Sequence, residues 1–247
     1  MNFLLLHADE LHDDGRAVLR GRRAAHVRTV LRAECGQTLR AGVVDARLGS
    51  AVVTGVHDDR VEVAVTLDHD PPPADDALLL AVPRPKVLLR MLAHAAALGF
   101  GRIVLFRSWR VDKSHLASTA MAAAVQREQL LLGLEQAGRT RLPSVQFCPL
   151  FKPMVEDQLD RLDLPTRRFA AHPAAAVPTA DLTLPAALPF TLALGPDGGF
   201  VPYEVDALAA RGFLAISCGP HALRTETALA VLAGQLDLLR RRGSVGP

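Results

Sequence analysis

Two turns in the C-terminal half hold the residues best suited to chemistry. The first is Leu194-Gly195-Pro196-Asp197-Gly198-Gly199-Phe200. Its three glycines and one proline permit a tight turn and let the backbone approach a ligand closely. The same composition also serves an ordinary strand-to-helix turn. It is not a dinucleotide fingerprint, because no G-x-G-x-x-G follows a strand. The second is Ser217-Cys218-Gly219-Pro220-His221-Ala222-Leu223-Arg224-Thr225-Glu226-Thr227-Ala228. Thr225 suits a helix N-cap, and Glu226 complements the helix dipole from the first turn. Arg224 has no such bland role, because a cation beside a helix N-terminus is electrostatically unfavourable. A residue that breaks a local rule at a cost is a candidate for function.

A third candidate is electrostatic. Arg16, Arg20, Arg22, Arg23, Arg28 and Arg32, with His26, fall in a stretch that contains no acid. Such a cluster can contact several phosphates, and it equally describes a solvated helix face. The net charge of +2 over 247 residues does not by itself require a polyanionic partner. Arginine outnumbers lysine 25 to 3, which suits bidentate phosphate contacts and also follows from GC-rich coding. Cys35, Cys148 and Cys218 lie far apart with no C-x-x-C pair, so neither a zinc nor a redox motif is expected. Sparse cysteines suit a reducing compartment. The longest apolar runs fall short of the roughly 20 residues of a membrane span, and the N-terminus lacks a basic n-region and a cleavage site. The expectation is a cytoplasmic protein with no metal and no membrane segment.

These residues need elements to hold them. The first 70 residues predict a small β-barrel-like module: a strand at Asn2–His7, a helix at Gly21–Ala33, and strands at Thr38–Val44, Ser50–Val56 and Val61–Leu67. The last of these alternates Val61, Val63, Val65 and Leu67 with Glu62, Ala64 and Thr66. The proline-rich, polar stretch around Pro71-Pro72-Pro73 reads as a stiff linker. The domain limits are therefore 1–70, a linker at 71–77, and 78–247. Beyond the linker, strands and helices alternate. Strands are predicted at Leu78–Val82, Arg102–Phe106, Val145–Phe147, Arg168–Ala171, Phe190–Leu194 and Phe213–Ser217. Helices are predicted at Lys86–Leu98, Ala123–Ala137, Pro153–Leu162, Pro202–Ala210 and Thr225–Arg240, with a loop over Pro173–Pro189. Continuous apolar strands between helices argue for a parallel α/β sheet. Ligands of such sheets bind beyond the C-terminal strand ends, where both turns fall.

At the two turns the chain resembles the RsmE family, SPOUT-class methyltransferases acting on N3 of a uridine in 16S ribosomal RNA. That family carries G-P-E-G-G and then L-G-x-x-I-L-R-x-E-T-A, similar to Leu194–Gly199 and Cys218–Ala228 here. Glu135-Gln136-Ala137-Gly138-Arg139-Thr140-Arg141-Leu142-Pro143, Ala171-His172-Pro173 and the His26–Arg32 segment also match, in the family's order. Asp197 replaces the usual glutamate, Ala97 another glutamate, and His94 a common lysine.

The resemblance implies an α/β domain with a C-terminal trefoil knot, a PUA-like RNA-binding module before it, and a homodimer. It implies S-adenosylmethionine (SAM) as cofactor, held by Leu194, Gly195, Pro196, Gly198, Gly199, Ser217, Gly219, Leu223, Thr225 and Ala228. Arg224 would stabilise the developing uracil anion, and Glu226 would be a base or an orienter. Arg16, Arg20, Arg22, Arg23, Arg28, Arg32, Arg139 and Arg141 would contact RNA of the small ribosomal subunit. His172 and His221 are open between a proton-transfer role and a structural hydrogen bond. Two other readings stay open: 2′-O-ribose methylation by a related enzyme, and a ribosome-assembly protein without catalysis.

Overall fold

Alternating apolar residues near the N-terminus and continuous apolar runs further on divide the chain between two sheets. The computed structural model describes residues 3–185 and 188–243. Asn2, in the expected first strand, and Ala186 and Ala187, in the expected loop, lie outside the described residues.

The first unit contains the chain up to Pro73 together with Leu130–Leu142. Five strands, β1 (Phe3–Leu6), β2 (Arg16–Arg20), β3 (Thr38–Val43), β4 (Leu48–Val56) and β5 (Arg60–His69), form one sheet in the order β1-β3-β4-β5-β2. β1 runs parallel to β3, and the other pairs are antiparallel. Strand periodicity puts Val61 and Val63 into a core with Leu6, Leu19, Leu39 and Val53.

Two predictions need correction here. β2 lies inside the arginine cluster, where no strand was predicted; it pairs with Arg60–Ala64, burying Ala17 and Leu19 and leaving Arg16 and Arg20 exposed. The helix expected over Gly21–Ala33 is regular only over Gly21–Ala25. Wider π-type turns continue it over His26–Val30, and Arg32 then takes a φ of 48°. Val27, Thr29 and Val30 are β-branched and favour a regular helix weakly. Burial of Val27 in the sheet core sets the local path instead.

The segment 130–142 joins this unit through Thr140, which is fully buried. Its hydroxyl donates to Ala46 O (2.8 Å), and Asp45 N–H donates to Thr140 O (2.8 Å). Leu142 N–H donates to Asp45 Oδ1 (2.8 Å). A linear division at residue 78 misses these bonds, because they span about a hundred residues of chain.

The second unit is built on seven strands: β6 (Asp76–Ala81), β7 (Phe100–Phe106), β8 (Ser144–Cys148), β9 (Arg168–Ala171), β10 (Val177–Pro178), β11 (Thr191–Leu194) and β12 (Phe213–Ser217). Their order is β10-β12-β9-β11-β6-β7-β8, and every pairing is parallel. Every residue of β6 and β11 is buried, as strands covered on both faces require. Helices Pro85–Leu98 and Pro202–Ala210 and a helical run over 151–161 supply the crossovers with the first part of Ala123–Ala137, and helix Thr225–Arg242 follows the last strand. The stretch read as a loop contains β10 and a turn of 3₁₀ helix, Thr179–Asp181. The buried Thr179 hydroxyl donates to Ser217 O (2.8 Å), which holds this stretch beside the end of β12. Arg240 near the end of the last helix donates to both carboxylate oxygens of Asp76 (3.0 and 3.1 Å). Among the described residues no helix is long and apolar enough to cross a membrane.

Candidate active site

β11, β9 and β12 are neighbours and parallel, so their C-terminal ends open on one edge of the sheet. The loops leaving them enclose a cavity of about 270 Å³. Leu194, Gly195, Pro196, Gly198 and Gly199 line one side. Ser217, Leu223, Thr225 and Ala228 line the other. Gly219 sits in the same loop, between the lining residues Cys218 and His221. The sequence-predicted cofactor residues therefore converge. Ile216 and Leu232 complete the apolar wall; sequence reasoning missed them because an apolar residue in a strand or helix signals only core.

The glycines are required by geometry. A Cβ on Gly195 would lie 3.0 Å from Phe200 N and 3.2 Å from Gly199 C, both backbone atoms that cannot rotate away. Gly199 has a φ of 69°, a left-handed conformation that disfavours side chains. A wall of bare backbone beside apolar side chains suits a nucleoside, which needs flat contact and backbone hydrogen bonds.

A second, polar cleft of about 530 Å³ shares Asp197, Ala222 and Leu223 with this cavity. It is also lined by Arg84, Val87, Arg90, Arg224 and Glu226. The start of the last helix thus divides its residues: Thr225 and Ala228 face the cavity, Arg224 and Glu226 face the cleft, and Leu223 borders both. Arg224 is the N-cap residue (φ −63°, ψ 151°), and its exposed side chain has no hydrogen bond or ion pair among the described residues. Arg90 Nη2 lies 3.0 Å from Glu226 Oε1, and Arg84 Nε lies 3.4 Å from Asp197 Oδ2.

Burial opposes the charge on Glu226, but its own backbone N–H, the Arg90 guanidinium and the nearby Arg224 outweigh it and hold the carboxyl below its ordinary value. A depressed carboxylate is a weak base. Arg84 and Arg90 escaped sequence reasoning, although Arg84 breaks the same rule as Arg224, being a cation at the N-cap of Pro85–Leu98. His172 and His221 line the cavity. The substituted His94 and Ala97 line neither space.

Residues 70–237 match the family model for the RNA methyltransferase domain. The chain belongs to this RNA methyltransferase family. Ribosomal RNA small subunit methyltransferase E of Treponema pallidum is 29% identical over 245 aligned residues, covering 92% of this chain and 87% of that protein. The protein of the same name from Mycobacterium bovis is 27% identical, with 97% and 93% covered. A methyltransferase of Legionella pneumophila, solved in complex with bound cofactor SAM, superimposes with a TM-score of 0.72 at 22% identity, covering 98% of this chain and 97% of that one. Ribosomal RNA small subunit methyltransferase E from Neisseria gonorrhoeae, bound to SAM, gives 0.71 at 22% identity, covering 96% and 97%. At that identity the two structures establish a shared fold, a mixed α/β architecture with a parallel sheet.

For a member of an RNA methyltransferase family, the surface arginines are the next question. All eight expected RNA contacts fall in the first unit. The window free of acids in sequence is not free of them in space. Arg23 is tucked against Glu10 and donates to Leu5 O (2.9 Å). Arg22 pairs with Glu135 (3.0 Å), Arg20 with Asp59 (3.3 Å) and Arg16 with Asp14 (3.6 Å). Arg28 donates to His57 O (3.3 Å) and Arg139 to Pro73 O (3.0 Å). Arg32 and Arg141 are exposed. Arg23 is thus a structural cation, while the exposed arginines keep donors for phosphate.

Proposed function

We propose that this methyltransferase moves the methyl group of SAM to N3 of a uridine in 16S ribosomal RNA of the small subunit. The supporting observation is the division at the start of the last helix. Thr225 and Ala228 line the nucleoside-sized cavity, Arg224 and Glu226 line the polar cleft beside it, and Leu223 borders both. The names of the Treponema and Mycobacterium relatives, and the SAM-bound Legionella and Neisseria structures, supply the substrate and the cofactor.

Backbone of Gly195–Gly199 and of the loop after Ser217 would hold the adenosine, with Ile216 and Leu232 against its apolar faces. When bound, SAM supplies an already activated methyl group. The remaining work falls to the protein. Uracil N3 carries a proton and is a poor nucleophile until that proton leaves. Arg224, projecting into the cleft with no hydrogen bond of its own, donates to a uracil oxygen and stabilises the anion as it forms. It stays protonated and is not the base. Glu226, fixed by Arg90, steadies the turn that carries Arg224, so that acceptor and methyl donor are held in line.

The C-terminal segment forms a SPOUT-type trefoil knot, the first unit acts as a PUA-like RNA-binding module, and the protein is a cytoplasmic homodimer. A primer-extension assay on 16S RNA from a deletion strain tests the reading. N3 methylation blocks base pairing, so purified protein plus SAM should install a new stop. A 2′-O-methylated nucleoside in the digest instead, or no SAM binding by calorimetry, would overturn it.

A further inference from the structure

A second cleft in the C-terminal unit has no part in the site above. Glu204 is 1% exposed and gathers three donors: Ser108 Oγ–H (3.0 Å), Trp109 N–H (2.8 Å) and Val201 N–H (3.0 Å). One buried carboxylate thereby ties the loop after β7 to the start of helix Pro202–Ala210. On this anchored backbone the Trp109 side chain stands out to solvent, 83% exposed. Trp109 rims a cleft of about 600 Å³ with Leu150, Phe151 and Tyr203. Phe151 and Tyr203 meet edge to face, centroids 6.5 Å apart. An indole left in water on an anchored backbone is an apolar exposure that packing does not explain.

Two cations, Arg107 and Lys152, line the cleft beside these rings, and the Glu204 carboxylate there is already taken up by its three donors. Arg107 lines the cleft and has no hydrogen bond or ion pair among the described residues. Lys152 also lines it, and its contact with Glu156 is long, at 3.9 Å. Glu156 in turn accepts from the Tyr203 hydroxyl (3.1 Å). The chain links the cleft to the cofactor turn. Val201 follows Gly199 by two residues, and Arg110, next to Trp109, donates to Gly198 O.

We propose that this cleft is a nucleobase-stacking subsite for single-stranded RNA beside the methylated nucleotide. The proposal rests on the RNA methyltransferase reading above and adds a second contact point for the substrate. Exposed aromatic rings accept any base by its π-face, and cations alongside them meet the phosphates. A second copy of this chain is the poorer occupant, because covering Arg107 would bury a cation without a partner.

Trp109 is the chain's only tryptophan, so its fluorescence reports the subsite directly. The intact protein is titrated with hexauridylate and, as control, with an abasic oligomer of equal charge. Hexauridylate should quench the emission and the abasic oligomer should not. Trp109→Ala should weaken hexauridylate binding about tenfold, Trp109→Phe should restore most of it, and SAM affinity should be unchanged. Tyr203→Ala should weaken binding in the same direction. Binding of labelled hexauridylate by anisotropy with no change in Trp109 emission would overturn the proposal. So would a Trp109→Ala variant that binds normally, or one that loses a dimer in sedimentation. If SAM binds and methyl transfer proceeds while Trp109→Ala is silent, only the subsite falls. If neither SAM binding nor transfer is found, the functional reading falls first.

Discussion

Arg90 on helix Pro85–Leu98 and Glu226 in the first turn of the last helix form an ion pair, Nη2 to Oε1, 3.0 Å long. It joins the first crossover helix of the sheet to the last helix at the wall of the polar cleft, two residues from Arg224. On the proposed reading, Arg224 touches the acceptor and the Arg90–Glu226 pair positions it.

Arg224→Ala should lower the methyl-transfer rate at least about a hundredfold, the usual effect of deleting a donor to a developing anion. SAM affinity, measured by calorimetry, should hold. Arg224→Lys should recover part of the rate, because it restores the charge without the planar fork. Equal loss of transfer and SAM binding would reassign Arg224 to the cofactor.

Arg90→Met and Glu226→Gln should each reduce kcat about tenfold through misplacement of the turn. The double variant should be no slower than the worse single one, because both remove the same contact. Glu226 is held below its ordinary carboxylate value and is ionised across the neutral range. Glu226→Gln should therefore leave the shape of the pH–rate profile intact. Loss of its acid limb would make Glu226 the base.

Gly195→Ala should weaken SAM binding roughly tenfold, since the new methyl group presses on Phe200 N and Gly199 backbone and the turn must shift. Thermal stability should change little, because the turn edges a cavity and is not core. An unchanged SAM affinity would show that the backbone of this turn is not a cofactor contact.

Both turns, Arg224 and the parallel sheet were legible in the sequence because each left a local mark: glycine clusters, a cation against a helix dipole, continuous apolar strands. Contacts between distant segments left none. Arg90 is an ordinary helix-surface arginine until the fold brings Glu226 to it, 136 residues away. Thr140 reads as a loop residue until Ala46 accepts its hydroxyl. β2 was hidden because its arginines mask the buried pair Ala17 and Leu19. The arginine cluster looked free of acids because Glu10, Asp14, Asp59 and Glu135 all come from outside it.

Replacing Arg28, Arg32 and Arg141 together should weaken RNA binding and flatten its salt dependence. Losing three phosphate contacts should reduce the slope of log K against log salt by roughly two. Filter binding across a salt series checks this. An unchanged slope would assign these arginines to a solvated surface.

Glu10 and Arg23 make a different prediction, about stability and pH. Burial disfavours the Glu10 charge, but hydrogen bonds from Arg23 and from His7 N–H (2.8 Å), with the Arg23 charge, hold its carboxyl below the ordinary value in the folded chain. The folded state therefore binds fewer protons than the unfolded state in the window between those two values. Stability from this pair is complete above the unfolded value and is lost as pH falls through the folded one. Glu10→Gln should cost about 1–3 kcal/mol at neutral pH, the effect of a charged hydrogen bond in a partly buried site. The gap should close in acid, where the native glutamate is protonated too. Urea midpoints followed by circular dichroism along a pH series falling from neutral until the gap stops changing test the sign directly. A gap that persists in acid would mean that Arg23 holds the loop through its bond to Leu5 O and that the charge of Glu10 contributes nothing.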